Sequence, residues 1–188
     1  QLLSSLLRLQ SNRITDPESL AILQQGQNRV QSLALIHEKL YQTTSLAHIN
    51  FKDYLADLLR IVQTTLGITG SAVTTEVTGD TLALGVDLGV PLGLIVNELV
   101  SNSFKHAFPP PREGRIEVSL RSHKEDHIEI SIRDDGIGFP TGFDWRSTDS
   151  LGLHLVQILS KQISATTTVR SGDGVEFLIR VPLADPSL

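Results

Sequence analysis

The feature that most restricts the fold is a change of hydrophobic period part-way along the chain. Up to about residue 66 apolar residues recur at helical spacing, whereas "RIEVSLR", "HIEISIR" and "VEFLIRV" further on alternate apolar with polar. Leu2, Leu3, Leu6, Leu7, Leu9 and Ile14 form one stripe, with Ser and Gln opposite. "TDPES" then turns the chain: Asp16 suits an N-cap, Pro17 the first helical position and Glu18 an acidic first turn. A long helix is expected from there to about Tyr41. It places Leu23, Val30 and His37, and Gly26, Leu33 and Leu40, at the a and d positions of a seven-residue repeat. A hairpin with so apolar a seam needs a partner, and pairing two hairpins into a four-helix bundle would cover it. "INFKDYLADLLRIVQTTLG" follows as a further amphipathic helix ended by Gly67.

Beyond it, "SAVTTEV" and "TLAL" read as short strands and "PLGLIVNELVSNSFKHAF" as a helix started by Pro91. "SLGLHLVQILSKQI" is a helix lying between strands. Alternating strands have one face toward a core and one toward water. Their irregular order with the helices predicts an α+β fold, an α/β sandwich whose mixed sheet carries helices on one face. An all-α hairpin at 1–48 is expected to precede this sandwich at 49–188.

Composition removes several function classes. The 188 residues include no cysteine, which excludes disulfides, thiolate chemistry and Cys-type zinc sites. A net charge of −5 argues against nucleic acid as a partner, because sequence-independent binding needs a basic footprint. No apolar run approaches the ~20 residues of a membrane span, so direct membrane insertion is not expected and a cytoplasmic location is. The absence of methionine suggests a piece of a longer polypeptide.

Polar groups concentrate in a few places. In "NELVSNSFKHAF" a spacing of 100° per residue puts Glu98, Asn102, Lys105 and, at the edge, His106 on one stripe opposite Val96, Leu99, Val100, Phe104 and Ala107. A solvated helix face would do the same, although Asn and Ser are poor mid-helix residues. "ISIRDDGIGFP" ends a strand with Asp134, able to accept from an exocyclic amine, while Gly136 and Gly138 permit close backbone approach; a hairpin turn is the plainer reading. "DSLGLHLVQIL" starts a helix at Gly152, a natural phosphate site, behind the long polar "TGFDWRSTDS", as expected of a lid. "SGDGVEFLIRVP" adds a glycine turn into the last strand.

Taken in order, these pieces resemble the catalytic core of a two-component sensor histidine kinase with a GHKL (Bergerat) ATP-binding domain. "NELVSNSFKHAF" resembles the N box, "DDGIG" the G1 box, "SLGLHLV" the G2 box and "GDGVEF" the last glycine box. The first helices are similar to the dimerisation and phosphotransfer hairpin of a subfamily close to the HWE kinases, with Asn97 where HWE proteins carry His. The resemblance implies ATP and Mg²⁺ as cofactors, with Asn102 coordinating the metal. Lys105 and His106 would face the phosphates, Asp134 would accept the adenine amino group, and Gly136 and Gly138 would shape the pocket wall. Gly152 and Leu153 would offer backbone amides to the phosphates. Glu98 stands where related ATPases keep a general base and is the candidate catalytic residue. Two positions depart from the family pattern: Leu151 replaces a glycine in the G2 box, and Val175 replaces the usual Thr in the last box.

The resemblance further implies a histidine kinase that autophosphorylates and then phosphorylates a response-regulator receiver domain, working as a homodimer behind an upstream sensor domain. The family's acceptor motif would lie just before Gln1. His37 has the adjacent acid Glu38 of an acceptor, yet it falls on the hairpin's core stripe. A GHKL ATPase or protein-serine kinase, with Glu98 activating water or a hydroxyl, is the rival enzyme. A dimerisation module without nucleotide binding is the non-catalytic rival, against which Asn102, Asp134, Gly136 and Gly138 stand intact.

Overall fold

The computed structural model describes residues 48–66, 72–110, 113–123, 126–148 and 150–183, together with Asp16 and isolated helical positions from Ser19 to Ala34. Alternation builds the sheet. Ile116, Val118 and Leu120 of β4 (Gly114–His123) are buried, as are Ile128, Ile130 and Ile132 of β5 (His127–Asp134) and Val175, Phe177, Ile179 and Val181 of β7 (Gly174–Pro182). Their register pairs Val118 with Ile132, Leu120 with Ile130, Ile130 with Ile179 and Ile132 with Phe177, so the buried sets face one side together. A one-residue slip would turn each set to solvent. Completed by β2 (Val73–Gly79) and β6 (Thr166–Gly172), the sheet has five strands in the order β2-β4-β5-β7-β6. Only the β2–β4 pairing is parallel, so the sheet is mixed and mostly antiparallel.

Helices α1 (Phe51–Thr65), α2 (Val86–Asn102) and α3 (Leu151–Gln162) cover the inner face. In α1 the buried residues are Phe51, Tyr54, Leu55, Leu58, Leu59 and Val62, the stripe its periodicity requires. Asn50 caps it, accepting from the Asp53 N–H at 3.3 Å while its amide donates to the Asp53 carboxylate at 2.7 Å. A small sheet of β1 (Ile49–Asn50) and β3 (Ala83–Leu84) ties the start of α1 to the start of α2. The two helices cross where Gly93 meets the ring of Tyr54, and no Cβ would fit there.

Two local expectations are corrected. Pro91 does not start α2; the helix begins at Val86 and carries Pro91 inside it. Lacking an N–H, Pro91 leaves the Asp87 carbonyl without its helical donor, which the second turn of a helix anchored on both sides tolerates. Strand β6 has no counterpart in the expected elements, because Thr-Thr-Thr-Val lacks clear alternation and the strand lies at the sheet's edge. The N-cap expected at Asp16 is present: its carboxylate accepts from the Ser19 N–H at 2.8 Å. Leu23, Gly26 and Val30 are helical and half-buried. The helix expected at 1–15, and with it Pro17, Glu18, Leu33, His37, Leu40 and Gly67, lies outside the described residues.

Candidate nucleotide-binding site

Helix α2 is buried along most of its length because it lies between α1, α3 and the sheet. Glu98 is only 3% exposed, which rules out the solvated-face reading for that residue. After Asn102 the helix widens into a π-helical turn, Ser103–Ala107. Such turns often mark functional sites, since the extra residue per turn redirects the side chains that follow. It turns Ser103, His106 and Ala107 to a cavity that Leu99 and Asn102 also line, while Lys105 is exposed and is not part of the lining. A straight α-helical count does not foresee this division of Lys105 from His106.

The cavity measures 510 Å³ and is mainly apolar, with Leu99, Ile137, Phe139, Leu153 and Phe177 on its walls. That size and character suit a small-molecule site in which a few polar groups set orientation. The best defined of these is Asp134, buried at the end of β5. Its Oδ1 accepts from the backbone N–H groups of Gly136 and Val175, each at 3.1 Å. Its Oδ2 accepts from the Ser103 hydroxyl at 2.7 Å. The carboxylate is thereby fixed in position, and Oδ2 keeps a lone pair for a further donor entering the cavity.

The glycines around it are steric requirements. A Cβ on Gly136 would lie 2.6 Å from the Ala107 carbonyl oxygen, which also accepts from the Ile137 N–H at 3.0 Å. Gly138 has φ +74° and faces the carbonyl of Gly172 in the β6–β7 turn. So the turn after β5 is pressed between the end of the π turn and the last hairpin. A simple hairpin reading of "DDGIG" fails, because β5 pairs onward with β7 and the chain leaves toward α3.

The opposite wall is the first turn of α3. A Cβ on Gly152 would come 2.6 Å from Glu98 Oε2 and 3.9 Å from Asn102 Nδ2, so Gly152 lets α3 approach both side chains. Leu153 is buried and lines the cavity, while Leu151 is 58% exposed. The Ser150 side chain makes no capping bond, so it leaves the first amides of α3 to other acceptors. His106, beside the cavity, titrates below its ordinary value of 6.5, first through partial burial and then through the charge of Lys105.

The connection from β5 to α3 is anchored by aromatic rings. Phe139 packs on Phe143 with centroids 4.6 Å apart, and Trp145 meets Phe177 edge-on at 5.6 Å. Arg146 sits over the Trp145 ring at 4.9 Å, and Gln157 of α3 donates to the Trp145 and Arg146 carbonyls. The expected polar lid therefore has a buried centre.

Sequence comparison agrees with this geometry. Residues 88–185 match the family described as "Histidine kinase-, DNA gyrase B-, and HSP90-like ATPase", and residues 1–66 match "Histidine kinase". The chain belongs to the histidine kinase-, DNA gyrase B- and HSP90-like ATPase family. Among curated proteins it is 30% identical to the sensor histidine kinase PdtaS of Mycobacterium tuberculosis, over 97% of this chain and 37% of that protein. It is 29% identical to blue-light-activated histidine kinase 2 of Erythrobacter litoralis, over 60% of this chain and 33% of that protein. The chain thus spans about a third of the curated relatives' length. Among solved structures, the histidine kinase domain of the Erythrobacter litoralis EL346 kinase superposes with a TM-score of 0.75 at 25% identity, covering 97% of this chain and 87% of that one. The described part is an ATP-binding catalytic core of the histidine kinase type. None of its described helices is long and apolar enough to cross a membrane.

Ser103 is a polar cavity residue that the motifs do not single out. Where the family pattern has Thr, Val175 contributes its backbone N–H, and the hydroxyl on Asp134 comes from Ser103. The available signal is the run Ser101-Asn102-Ser103 inside a helix, where these residue types are poor formers.

Proposed function

We propose that this core binds Mg-ATP with the adenine amino group on Asp134 Oδ2 and the phosphates toward Asn102, His106 and the first turn of α3. The observation that carries the reading is the buried Asp134 carboxylate, oriented by three donors in the wall of an apolar cavity. The residues present fit the metal: Asn102 offers a carboxamide oxygen, Glu98 lies next to it through Gly152, and Mg²⁺ prefers such hard oxygen donors together with phosphate oxygens. When bound, the ion would neutralise charge on the transferring phosphoryl group. The chain's own contribution is positioning. Asp134 sets the purine, the aromatic rings exclude water beside it, and the α3 amides favour negative charge at the far end. Lys105, exposed next to His106, adds positive charge at the mouth.

In the whole protein the phosphoryl group would pass to a histidine and then to an aspartate of a response-regulator receiver domain, within a cytoplasmic homodimer joined through the helical hairpin. The test is phosphorylation of the full-length protein with γ-labelled ATP. An acid-labile, base-stable label identifies phosphohistidine, and Asn102→Ala should abolish both the label and the magnesium dependence of ATP binding. An acid-stable label would instead favour serine chemistry. Unchanged Mg-ATP affinity in Asn102→Ala would remove the metal assignment.

A further inference from the structure

The end of β5 remote from Asp134 carries histidines that the cavity does not use. His123 closes β4, His127 opens β5, and they are register partners. Their rings stack with centroids 4.2 Å apart and planes 11° from parallel. Glu129 follows two residues after His127, so strand alternation returns it to the same outer face of the sheet. One ligand atom from each of His123, His127 and Glu129 lies within 4.8 Å of the others. Exposure falls from His123, open to solvent, to side-chain values of 25% for His127 and 14% for Glu129. The cluster therefore has an open mouth and a covered floor.

We propose that His123, His127 and Glu129 form a site for a divalent transition-metal ion, with zinc the best match and water completing the coordination. Two imidazoles and a carboxylate are a three-ligand set that zinc accepts in tetrahedral geometry. The supporting contacts point the same way. Asp126 Oδ2 lies 2.7 Å from His127 Nδ1, an arrangement that keeps the proton on Nδ1 and leaves the Nε2 lone pair for a metal. Arg180 Nε donates to Glu129 Oε2 at 2.9 Å, which holds the carboxylate while its other oxygen stays available. Ligands at about 2.0–2.1 Å from zinc sit closer together than 4.8 Å, so the site must tighten on binding. Rotation of the exposed His123 ring out of its stack can supply that movement.

Charge decides which ions are excluded. Arg121, the register partner of Glu129, and Arg180 oppose a cation, while Asp126 and Glu129 favour one. With these near balance, Mg²⁺ and Ca²⁺, which depend on several oxygen ligands, gain little, whereas an imidazole-preferring ion gains directional bonds. Seven residues of strand, about 23 Å at 3.3 Å per residue, separate His127 from Asp134, so the site is independent of the nucleotide metal. Its effect would be to clamp the β4–β5 hairpin to itself.

The test is calorimetric titration of the chelator-treated, nucleotide-free protein with zinc chloride, beside calcium chloride, in wild type, His123→Ala and Glu129→Gln. The expected result is one saturable zinc site, no calcium heat, and affinity weakened at least about tenfold in each variant. Mg-ATP affinity, measured in the same variants, should be unchanged and shows that they fold. Cobalt(II) should give a visible d–d band in wild type that His123→Ala removes. Absence of saturable zinc binding, or wild-type zinc affinity in folded His123→Ala, would overturn the proposal.

Discussion

At the Asp134 end of the cavity, two backbone N–H groups and a serine hydroxyl already converge on one buried carboxylate. At the Gly152 end, the first amides of α3 lack a cap from Ser150, and the buried Glu98 is packed against Gly152. The first end is organised before any ligand arrives; the second offers groups that a polyanion would gather. The difference is physical. A base edge presents fixed hydrogen-bond directions and rewards rigid acceptors, whereas a triphosphate is flexible and highly charged and can itself adapt to uncapped helix amides.

The strongest attempt to break this contrast is Asp134→Ala. It removes a charged acceptor and leaves the Gly136 and Val175 N–H groups buried without their partner, a loss on the order of 3 kcal/mol. ADP affinity by calorimetry should fall by two orders of magnitude, together with a lowered Tm. Retained affinity would show that the base does not sit at this end. Gly152→Ala should act next, by about 1–2 kcal/mol, because its Cβ must displace Glu98. If the ends are distinct, ATP affinity suffers while adenosine affinity does not, and equal losses would merge them.

Ser103→Ala should cost about 1 kcal/mol, or roughly fivefold in adenosine affinity, since Asp134 keeps its two backbone donors. Ser103→Thr should partly restore it if the hydroxyl is what matters. The smallest effect is electrostatic. His106 has a folded-state value below 6.5, so the fold prefers it neutral; that stability is present above 6.5 and is lost as pH falls through the depressed value. A polyphosphate beside it favours the imidazolium, so binding takes up a proton and ATP affinity rises as pH falls below neutrality. The slope should shrink in His106→Asn, and an unchanged slope would place the phosphates away from His106.

Much of the candidate cavity is legible as residue types. Asn102, Asp134, Gly136, Gly138 and Gly152 were singled out on their motifs, and they surround one cavity or the contacts that shape it. Lys105 was grouped with His106 by a uniform helical angle, and the π turn separates them. No local pattern announces such a turn, because it answers to packing around Ala107 and Gly136. The buried centre of the lid is hidden for a related reason: Phe143 and Trp145 are isolated apolar residues in a polar run, and their partners Phe139, Phe177 and Gln157 lie outside it.

By itself the sequence determined the two periodicities, and through them the helices, the alternating strands, the buried faces and the order of the glycine turns. These follow from interactions between near neighbours along the chain and from the need to bury one face. Tertiary structure alone decided that β2 runs parallel to β4, that the edge strand β6 forms, and that α2 starts before Pro91. It also decided that Ser103 supplies a hydroxyl to Asp134, and that His123 meets His127. Each of these depends on where distant segments come to lie, which the local free energies of turn, cap and strand do not specify.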